Sequence, residues 1–565
     1  MMGQVRLVSI WTCCSLLFLV TSEEQMELDS PADCENTDFV PGHNLGGEGF
    51  DIVKMARKGS YVIDMEKWDI GNGKCKMYKN PYLNVKQKIP VAMESWRTIS
   101  KCSMKVSSKI YESSEALVNG STSSITNNWR IGLNLPCILG ISFGGTHSSE
   151  TLYVTAKSKE DRFSFTKHIS ECSFYSYKIT TLPPVHSEFL RALQALPKEY
   201  KLQAYQEIID TFGTHYTTGV KLGGRLMAIT AIRTCKAAIN GLTDASIKAC
   251  LDLEASINHR IAKADVHYCR DLQKKMGTSE RFNVIFSERH SEITGGNFDG
   301  EDLIFTEHSK QKSLKEWVKS LKTIPDVVTY SLRPLHVLLN DKHSAKEGLK
   351  MAIEKYIREN ALKQLCMEPC TMGSRTSVRD QCVCICEKSP NILTNCCPAE
   401  KGLSRLKVFK LRAKGLYGDR ISQTDAYVQI EYDDKAMRSS MISNDDNPVW
   451  NESFDFGSVK ITMGRRLTFK IYDEENIWND ELLGECSFEL RSGTVDDMCT
   501  FKYGSFYFSY SAECAPNLQG SKCSDYSPSS MNNSLAQVFH SRNGILTKDM
   551  WKLQRGKSNI SQVYC

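Results

Sequence analysis

Between Cys366 and Cys397 the chain places seven cysteines in 32 residues, spaced C-x3-C-x11-C-x-C-x-C-x9-C-C. A segment that short cannot bury a core adequate to hold it folded, so it has to be stapled. Disulfides are one way to do this and zinc on thiolates is the other; an oxidising compartment favours the disulfides. The compartment can be read at the N-terminus. Arg6, an apolar run from Leu7 to Val20, and then Thr21-Ser22 and acidic residues make a secretory signal peptide over residues 1–22, with cleavage near Ser22. Cys13 and Cys14 of the 22 cysteines leave with it, and the remainder is even, as disulfide pairing wants. Four sequons, at Asn119, Asn451, Asn532 and Asn559, agree with secretion and predict glycosylation. No other stretch has 18 consecutive apolar residues, so the mature chain is expected to leave the cell soluble, without a transmembrane helix.

The cysteine segment divides the chain. Residues 23–365 are long enough for one large mixed domain, and 366–402 form the stapled spacer. In the large domain Phe189, Leu190, Leu193 and Leu196, then Tyr205, Ile208, Ile209 and Phe212, recur at helical spacing. Leu349, Ala352, Ile353, Tyr356, Ile357 and Leu365 predict another amphipathic helix, and Val220, Leu222, Leu226 and Ala228 a strand. In residues 403–514 Ala426, Val428, Ile430 and Tyr432, and Leu467, Phe469 and Ile471, alternate with more polar neighbours. That pattern predicts antiparallel strands and a β-sandwich. Residues 515–565 turn rich in serine and asparagine and read as a tail without a core of its own. The class is therefore multidomain α+β. A formal net charge of +5 over 565 residues, with no block of like charges, indicates no nucleic-acid partner.

Within the large domain the most specific string is Tyr205-x6-Phe212-Gly213-Thr214-His215-Tyr216, at a helix end and a strand start. Read by itself it is a helix-capping glycine before an ordinary strand, with His215 structural. It is flanked by Phe39-Val-Pro-Gly and Gly46-Gly-Glu-Gly-Phe upstream, and by Leu222-Gly-Gly-Arg225, Arg289-His290, Gly295-Gly296 and Tyr330-Ser-Leu-Arg-Pro-Leu335 downstream. Together these resemble the signature of the membrane-attack-complex/perforin family. The order of modules, a stapled segment of epidermal-growth-factor type followed by a sandwich, is similar to the perforin branch rather than to the terminal complement proteins. The resemblance implies a bent sheet with two helical clusters, as in the cholesterol-dependent cytolysins. It further implies a secreted immune protein stored in cytolytic granules that lyses target cells, assembling with copies of itself into a ring in the bilayer and delivering granule proteases through the pore. In the family each helical cluster refolds into a β-hairpin, and Gly295-Gly296 marks the point where the sheet opens. Read without the family, Gly-Gly is more often a simple turn.

The residues can be asked whether such refolding is physically possible. A bilayer-spanning strand needs about 9–11 residues with apolar side chains on alternate positions. Residues 141–166 offer Ile141, Phe143, Leu152, Val154, Ala156, Phe163 and Phe165, with Lys157, Lys159, Glu160, Asp161 and Arg162 expected at the hairpin tip. Residues 257–290 offer Ile257 and Ile261 at helical spacing and Phe282, Val284 and Phe286 at strand spacing. Surface strands show similar alternation, and the charged cluster favours an alternative, a non-lytic lipid-binding adhesion or signalling protein of the same fold. A third reading takes Gly140-Ile-Ser142-Phe-Gly144 as the nucleophile elbow of a lipase. That elbow needs a helix directly after the serine, and Gly144-Gly145-Thr-His-Ser is poor material for one. No catalytic residue is expected.

The sandwich resembles a C2 domain, a calcium-dependent membrane-binding module. Calcium takes six to eight oxygen ligands, which have to converge from loops. Gly418-Asp419 and Asp425 lie before one predicted strand, Asp473, Glu475, Asn479, Asp480 and Glu481 after another, and Asn444 in the loop between. Where the C2 pattern has D-x-D-x5-D, this chain has Asp473-x-Glu475-x5-Glu481, and Asn479 replaces an acid usual in the family. Fewer carboxylates mean weaker calcium affinity. Tyr417, Ile477 and Trp478 stand on the same loops, where amphipathic rings suit the membrane interface.

Overall fold

The computed structural model describes residues 27–113, 116–118, 127–135, 141–255, 263–298, 303–305, 311–364, 373–374, 384–389, 391–418, 422–475, 480–529 and 545–546. The large domain is organised by one antiparallel sheet. A short strand β1 (Glu48–Asp51) precedes three very long ones, β2 (Met93–Tyr111), β3 (Phe163–Ile179) and β4 (His215–Arg233). At about 3.3 Å per residue the long strands each reach roughly 60 Å. β3 pairs with both β2 and β4. The other side of β4 is shared by β5 (Arg289–Thr294), opposite residues 225–230, and β6 (Asp326–Pro334), opposite residues 215–223.

Three pairings slip register in one row: between Thr98 and Lys101 on β2, between Ser173 and Tyr175 on β3, and between Val327 and Thr329 on β6. Bulges raise twist and bend a strand, so a row of them across neighbouring strands bends the sheet. The expected strand around Val220–Ala228 is present, and it is apolar on both faces further along. Leu226, Ala228 and Ile232 enter the main core, whereas Met227, Ile229 and Ala231 enter a second one with Val154 and Phe165. A strand covered on both sides reads as a continuous apolar run, which is why the segment Leu226-Met-Ala-Ile-Thr-Ala-Ile232 shows little alternation.

Helices α1 (Ser149–Glu160), α2 (Ser187–Gln194), α3 (Leu202–Phe212), α4 (Asp244–Glu254), α5 (Lys263–Met276), α6 (Gln311–Ser320) and α7 (Lys346–Glu359) surround the sheet. α2 and α3 follow the predicted spacing, with Phe189, Leu193, Tyr205, Ile208, Ile209 and Phe212 buried. α7 stops at Glu359 and Leu362–Gln364 is a strand; Leu365, expected on the same helix, lies outside the described residues.

Cys397 of the stapled segment pairs outside it, with Cys235 just past the end of β4. Cys386 pairs with Cys396 inside the segment. The sandwich contains β7 (Leu403–Lys414), β8 (Ala426–Tyr432), β9 (Arg466–Asp473), β10 (Glu481–Glu489), β11 (Gly493–Thr500) and β12 (Ser505–Cys514). One sheet carries Val449–Trp450, β7, β12 and β11 in that order; the other carries Lys435–Arg438, β8, β9 and β10. Leu406, Val408, Leu411, Val428, Ile430, Leu467, Phe469, Ile471 and Phe506 meet between them, all fully buried. Each such side chain contributes about 1.5–3 kcal/mol on leaving water. The packed chain runs on past the expected boundary at residue 515: Cys514–Cys523 folds it back, and Leu518 and Cys523 join the sandwich core.

Candidate functional site

Two connections hang from one end of the sheet. Residues 112–162 join β2 to β3 and residues 234–288 join β4 to β5, and the register puts Tyr111, Phe163, Arg233 and Arg289 at the same edge. Each connection is more than long enough for two spanning strands of about 10 residues. Where described they are mainly helical, apart from the two-residue strand Ile141–Ser142: α1 in the first, and α4, α5 and the short helix Phe282–Ile285 in the second. The strand spacing read at Leu152, Val154 and Ala156 is therefore realised on a helix, with Val154 buried and Leu152 exposed. Ser148 caps α1 by accepting the Thr151 amide, and the hydroxyls of Thr155 and Ser158 bond back to the carbonyls of Thr151 and Val154. Phe163 and Phe165 belong to β3 itself, and Phe282 is buried on its helix while Val284 is exposed. Ile257 and Ile261 lie outside the described residues.

The charged cluster is not at a tip. It forms the base of α1, where Lys157 bonds Glu288 at 2.9 Å, and Arg233 bonds Glu288 at 2.9 Å and Asp161 at 3.3 Å. Asp161 is fully buried and also accepts the Tyr526 hydroxyl and the Ser529 amide from beyond the sandwich. Arg162 donates to the carbonyls of Asn395 and Cys384 in the stapled segment. Three modules thus meet where the first connection returns to the sheet. Further along, Lys167 of β3 pairs with Glu150 of α1 at 2.6 Å, and His168 of β3 with Asp252 of α4 at 2.9 Å. These ties hold both clusters against the sheet, and none was singled out from sequence, because each joins residues remote in the chain.

The signature string forms a buried joint. Gly213 ends α3 at φ 78°, and a Cβ there would lie 2.6 Å from the Phe50 carbonyl carbon, so only glycine fits. Tyr205, Phe212, Thr214, His215 and Tyr216 are all buried, and His215 Nε2 donates to the Trp129 carbonyl at 2.8 Å while Nδ1 faces the Thr214 hydroxyl at 2.7 Å. Burial pushes the imidazole pKa down to about 3. Gly295 and Gly296, both at positive φ, sit beside the bulge row. A Cβ on Gly295 would meet the Gly223 carbonyl at 2.3 Å, and one on Gly296 the Trp317 ring at 2.7 Å. Trp317 of α6 is 1% exposed, would meet a Cβ on Gly224 too, and donates its indole N–H to the Gly295 carbonyl at 2.8 Å. Sequence reading missed this tryptophan.

On the sandwich the described candidate ligands lie at the end where β8 begins and β9 finishes. Asp473 is 3% exposed; its Oδ1 accepts the Asp425 amide at 2.7 Å, and Asp425 in turn accepts the Asn444 amide at 2.7 Å. Gly418 lies so close that a Cβ there would be 1.7 Å from Asp473 Oδ2. Asp480 Oδ2 accepts the Tyr427 hydroxyl at 2.8 Å, whereas Oδ1 is buried and has no partner among the described residues. Burial, with the Asp480 carboxylate, pushes the Tyr427 hydroxyl up to about 12. Glu481 is exposed at the start of β10, in register with Asp473, and Glu475 is exposed in the loop. Asp446, not singled out earlier although it stands in an acidic run, takes the Thr424 amide and hydroxyl. Among the described residues no three acidic, histidine or cysteine side chains are gathered as a metal requires. Asp419, Asn479, Ile477 and Trp478 lie outside the described residues. The donors present, all oxygen and including one unpartnered buried carboxylate oxygen, suit a hard divalent cation. Tyr417 is half exposed, its ring 5.4 Å from that of Tyr503. Of the sequons only Asn451 is described, and it is exposed.

Comparison with known proteins gives this geometry a context. A MAC/Perforin domain model matches residues 41–366, a C2 domain model residues 404–502 and a Perforin-1-like EGF domain model residues 365–399. Perforin-1 of Homo sapiens is 35% identical over 503 residues, covering 87% of this chain and 91% of its own. Perforin-1 of Rattus norvegicus is 34% identical over 507 residues, covering 87% and 92%. The chain belongs to the MAC/Perforin family. Complement component C9 of Oncorhynchus mykiss is more distant, 22% identical over 422 residues, covering 66% and 72%. The fold is a MAC/Perforin domain followed by EGF and C2 domains, and the chain is a pore-forming cytolytic protein of the perforin type. The lipase reading loses its geometry as well: Ser142 pairs with Leu362 in a two-residue strand, and the next helix begins only at Ser149.

Proposed function

We propose that this MAC/Perforin protein is triggered by calcium. The ion binds Asp425, Asp473 and Asp480, with Asp419, Asn444, Glu475, Asn479 and Glu481 completing or tuning the set, and Gly418 leaves room for the Asp473 carboxylate. Bound calcium offsets the acidic loops, and Tyr417, Ile477 and Trp478 then enter the interface of the target bilayer. Copies of the chain assemble into a ring, Gly295 and Gly296 let the sheet open, and residues 112–162 and 234–288 leave their helical form to continue β2, β3, β4 and β5 as membrane-spanning hairpins. Closure of strand edges into a barrel leaves no backbone group unpaired in lipid. The work is refolding rather than catalysis. The chain is secreted, glycosylated at its sequons, held in an acidic granule where protonated carboxylates bind calcium poorly, and opens a path for granule proteases.

The observation that carries this reading is the pair of long helical connections suspended from one end of four contiguous antiparallel strands. The test is release of graded-size dyes from liposomes by purified mature protein, with and without calcium, beside a sedimentation assay. Calcium-dependent release of large dyes is the expected result. Calcium-dependent binding without release would transfer the reading to a non-lytic lipid-binding protein of the same fold.

A further inference from the structure

The outer face of the sheet containing β7 carries an unusual charge pattern. Along β7 the inward residues Leu406, Val408, Leu411 and Ala413 are buried, and every described outward position from Arg405 onward except Phe409 is basic. The far end is neutralised: Asp455 takes Arg405 at 2.6 Å and Lys407 at 3.9 Å, and Glu513 stands opposite Arg405. The end next to the acidic loops is not. Lys410, Arg412 and Lys414 are exposed and no carboxylate among the described residues pairs with them; Lys502, in the turn between β11 and β12, extends the stripe. Arg412 lies over the Tyr507 ring at 4.8 Å, and Lys502 lies 5.0 Å from the centre of the Tyr503 ring.

Register fixes what surrounds them. Val449, Arg412, Tyr507 and Met498 form one cross-strand row, with Val449 56% and Met498 43% exposed. The next row toward the loops is Lys414, Ser505 and Thr500, and beyond it stand the half-exposed Tyr503 and Tyr417. Unpaired cations interleaved with exposed apolar side chains, continuous with the loops that face lipid, match an anionic bilayer surface in both charge and depth.

We infer that this half of the outer sheet face is a second membrane contact, selective for anionic phospholipid, which tilts the C2 domain so that the sheet as well as the loops lies on the bilayer. The inference rests on the C2 domain docking to membranes. Each basic residue near an anionic surface adds about fivefold to affinity, so three add about a hundredfold, screened by salt.

The test is sedimentation of the full mature chain, at saturating calcium, with vesicles of phosphatidylcholine alone or mixed with phosphatidylserine. Wild type is expected to bind the mixed vesicles more tightly, and the Lys410→Ala/Arg412→Ala/Lys414→Ala variant to lose about a hundredfold there while keeping its calcium-dependent binding to phosphatidylcholine. Arg405→Ala/Lys407→Ala, at the neutralised end, is expected to change neither. Asn451 adjoins Trp450 at the margin of this face, so Asn451→Gln is assayed alongside to remove any sugar that would hold the face off the bilayer. Equal loss in the two basic variants, or undiminished preference for phosphatidylserine in the triple variant, overturns the inference. Absence of calcium-dependent binding to any vesicle by wild type would instead overturn the docking reading on which it stands.

Discussion

The proposed calcium site gives Asp473 two duties that two substitutions separate. Asp473 is 3% exposed; its Oδ1 accepts the Asp425 amide at 2.7 Å, and its Oδ2 lies against Gly418, on the side assigned to the proposed cation. Asp473→Ala removes both and leaves a half-buried N–H without its acceptor, which costs about 1 kcal/mol. For a domain of this size that lowers the unfolding midpoint by about 4 °C per kcal/mol, read as the C2 transition in calorimetry of the full chain without calcium. Asp473→Asn keeps a carbonyl oxygen for the amide and removes only the charge, so its calcium-free midpoint should stay near wild type. Calcium at about a hundredfold over its dissociation constant should stabilise wild type by about 2.7 kcal/mol. The asparagine variant should lose most of that gain. An asparagine variant with an intact calcium shift, or one as unstable as alanine without calcium, would refute the assignment of the second oxygen to the metal.

Trp317→Ala should destabilise the large domain by about 3–5 kcal/mol through the cavity it leaves, whereas Trp317→Phe should cost about 1 kcal/mol for the lost bond to Gly295, both measured by denaturant unfolding. His215 is kept neutral by burial, with its pKa lowered to about 3 from 6.5, so the unfolded chain takes up the proton first as pH falls. Its contribution is complete above about pH 6.5 and is lost between there and about pH 3, a loss of about 1.4 kcal/mol by pH 5.5; His215→Gln, less stable at neutral pH, should show a shallower acid slope. Asp161→Asn should loosen residues 157–162 and 525–529 together in hydrogen exchange, because one buried carboxylate ties both; loosening of either segment alone would show that Asp161 is not the joint.

How far the fold could be read depended on whether each pattern was local. β8 and β9 alternate cleanly because one face of each meets the sandwich core, and α3 shows its helical spacing because one stripe is buried. The segment around Leu152, Val154 and Ala156 was ambiguous: an apolar residue at every second position also fits a short helix, and only the Ser148 cap and the back-bonded hydroxyls decide it in the soluble form. The bond from Cys397 to Cys235 left no clue to its partner, because 162 residues separate the two cysteines. Trp317 left none, since its meaning depends on three glycines brought to it by the bend. The acidic loops were legible as oxygen donors, yet the lone Asp480 oxygen and the basic stripe on β7 required tertiary placement.

The central claim is that helices on the sheet become strands in the membrane. A polarity-sensitive dye attached singly at each position from 150 to 156 tests it directly, read first on the soluble chain and then on calcium-activated protein assembled on liposomes. In solution the dye should follow a helical period, with Val154 sheltered and Leu152 and Ala156 in water. On the membrane the account predicts a period of two, with Leu152, Val154 and Ala156 moving into lipid together and Thr151, Tyr153 and Thr155 facing water. A helical period that persists on liposomes that have released their contents would contradict it.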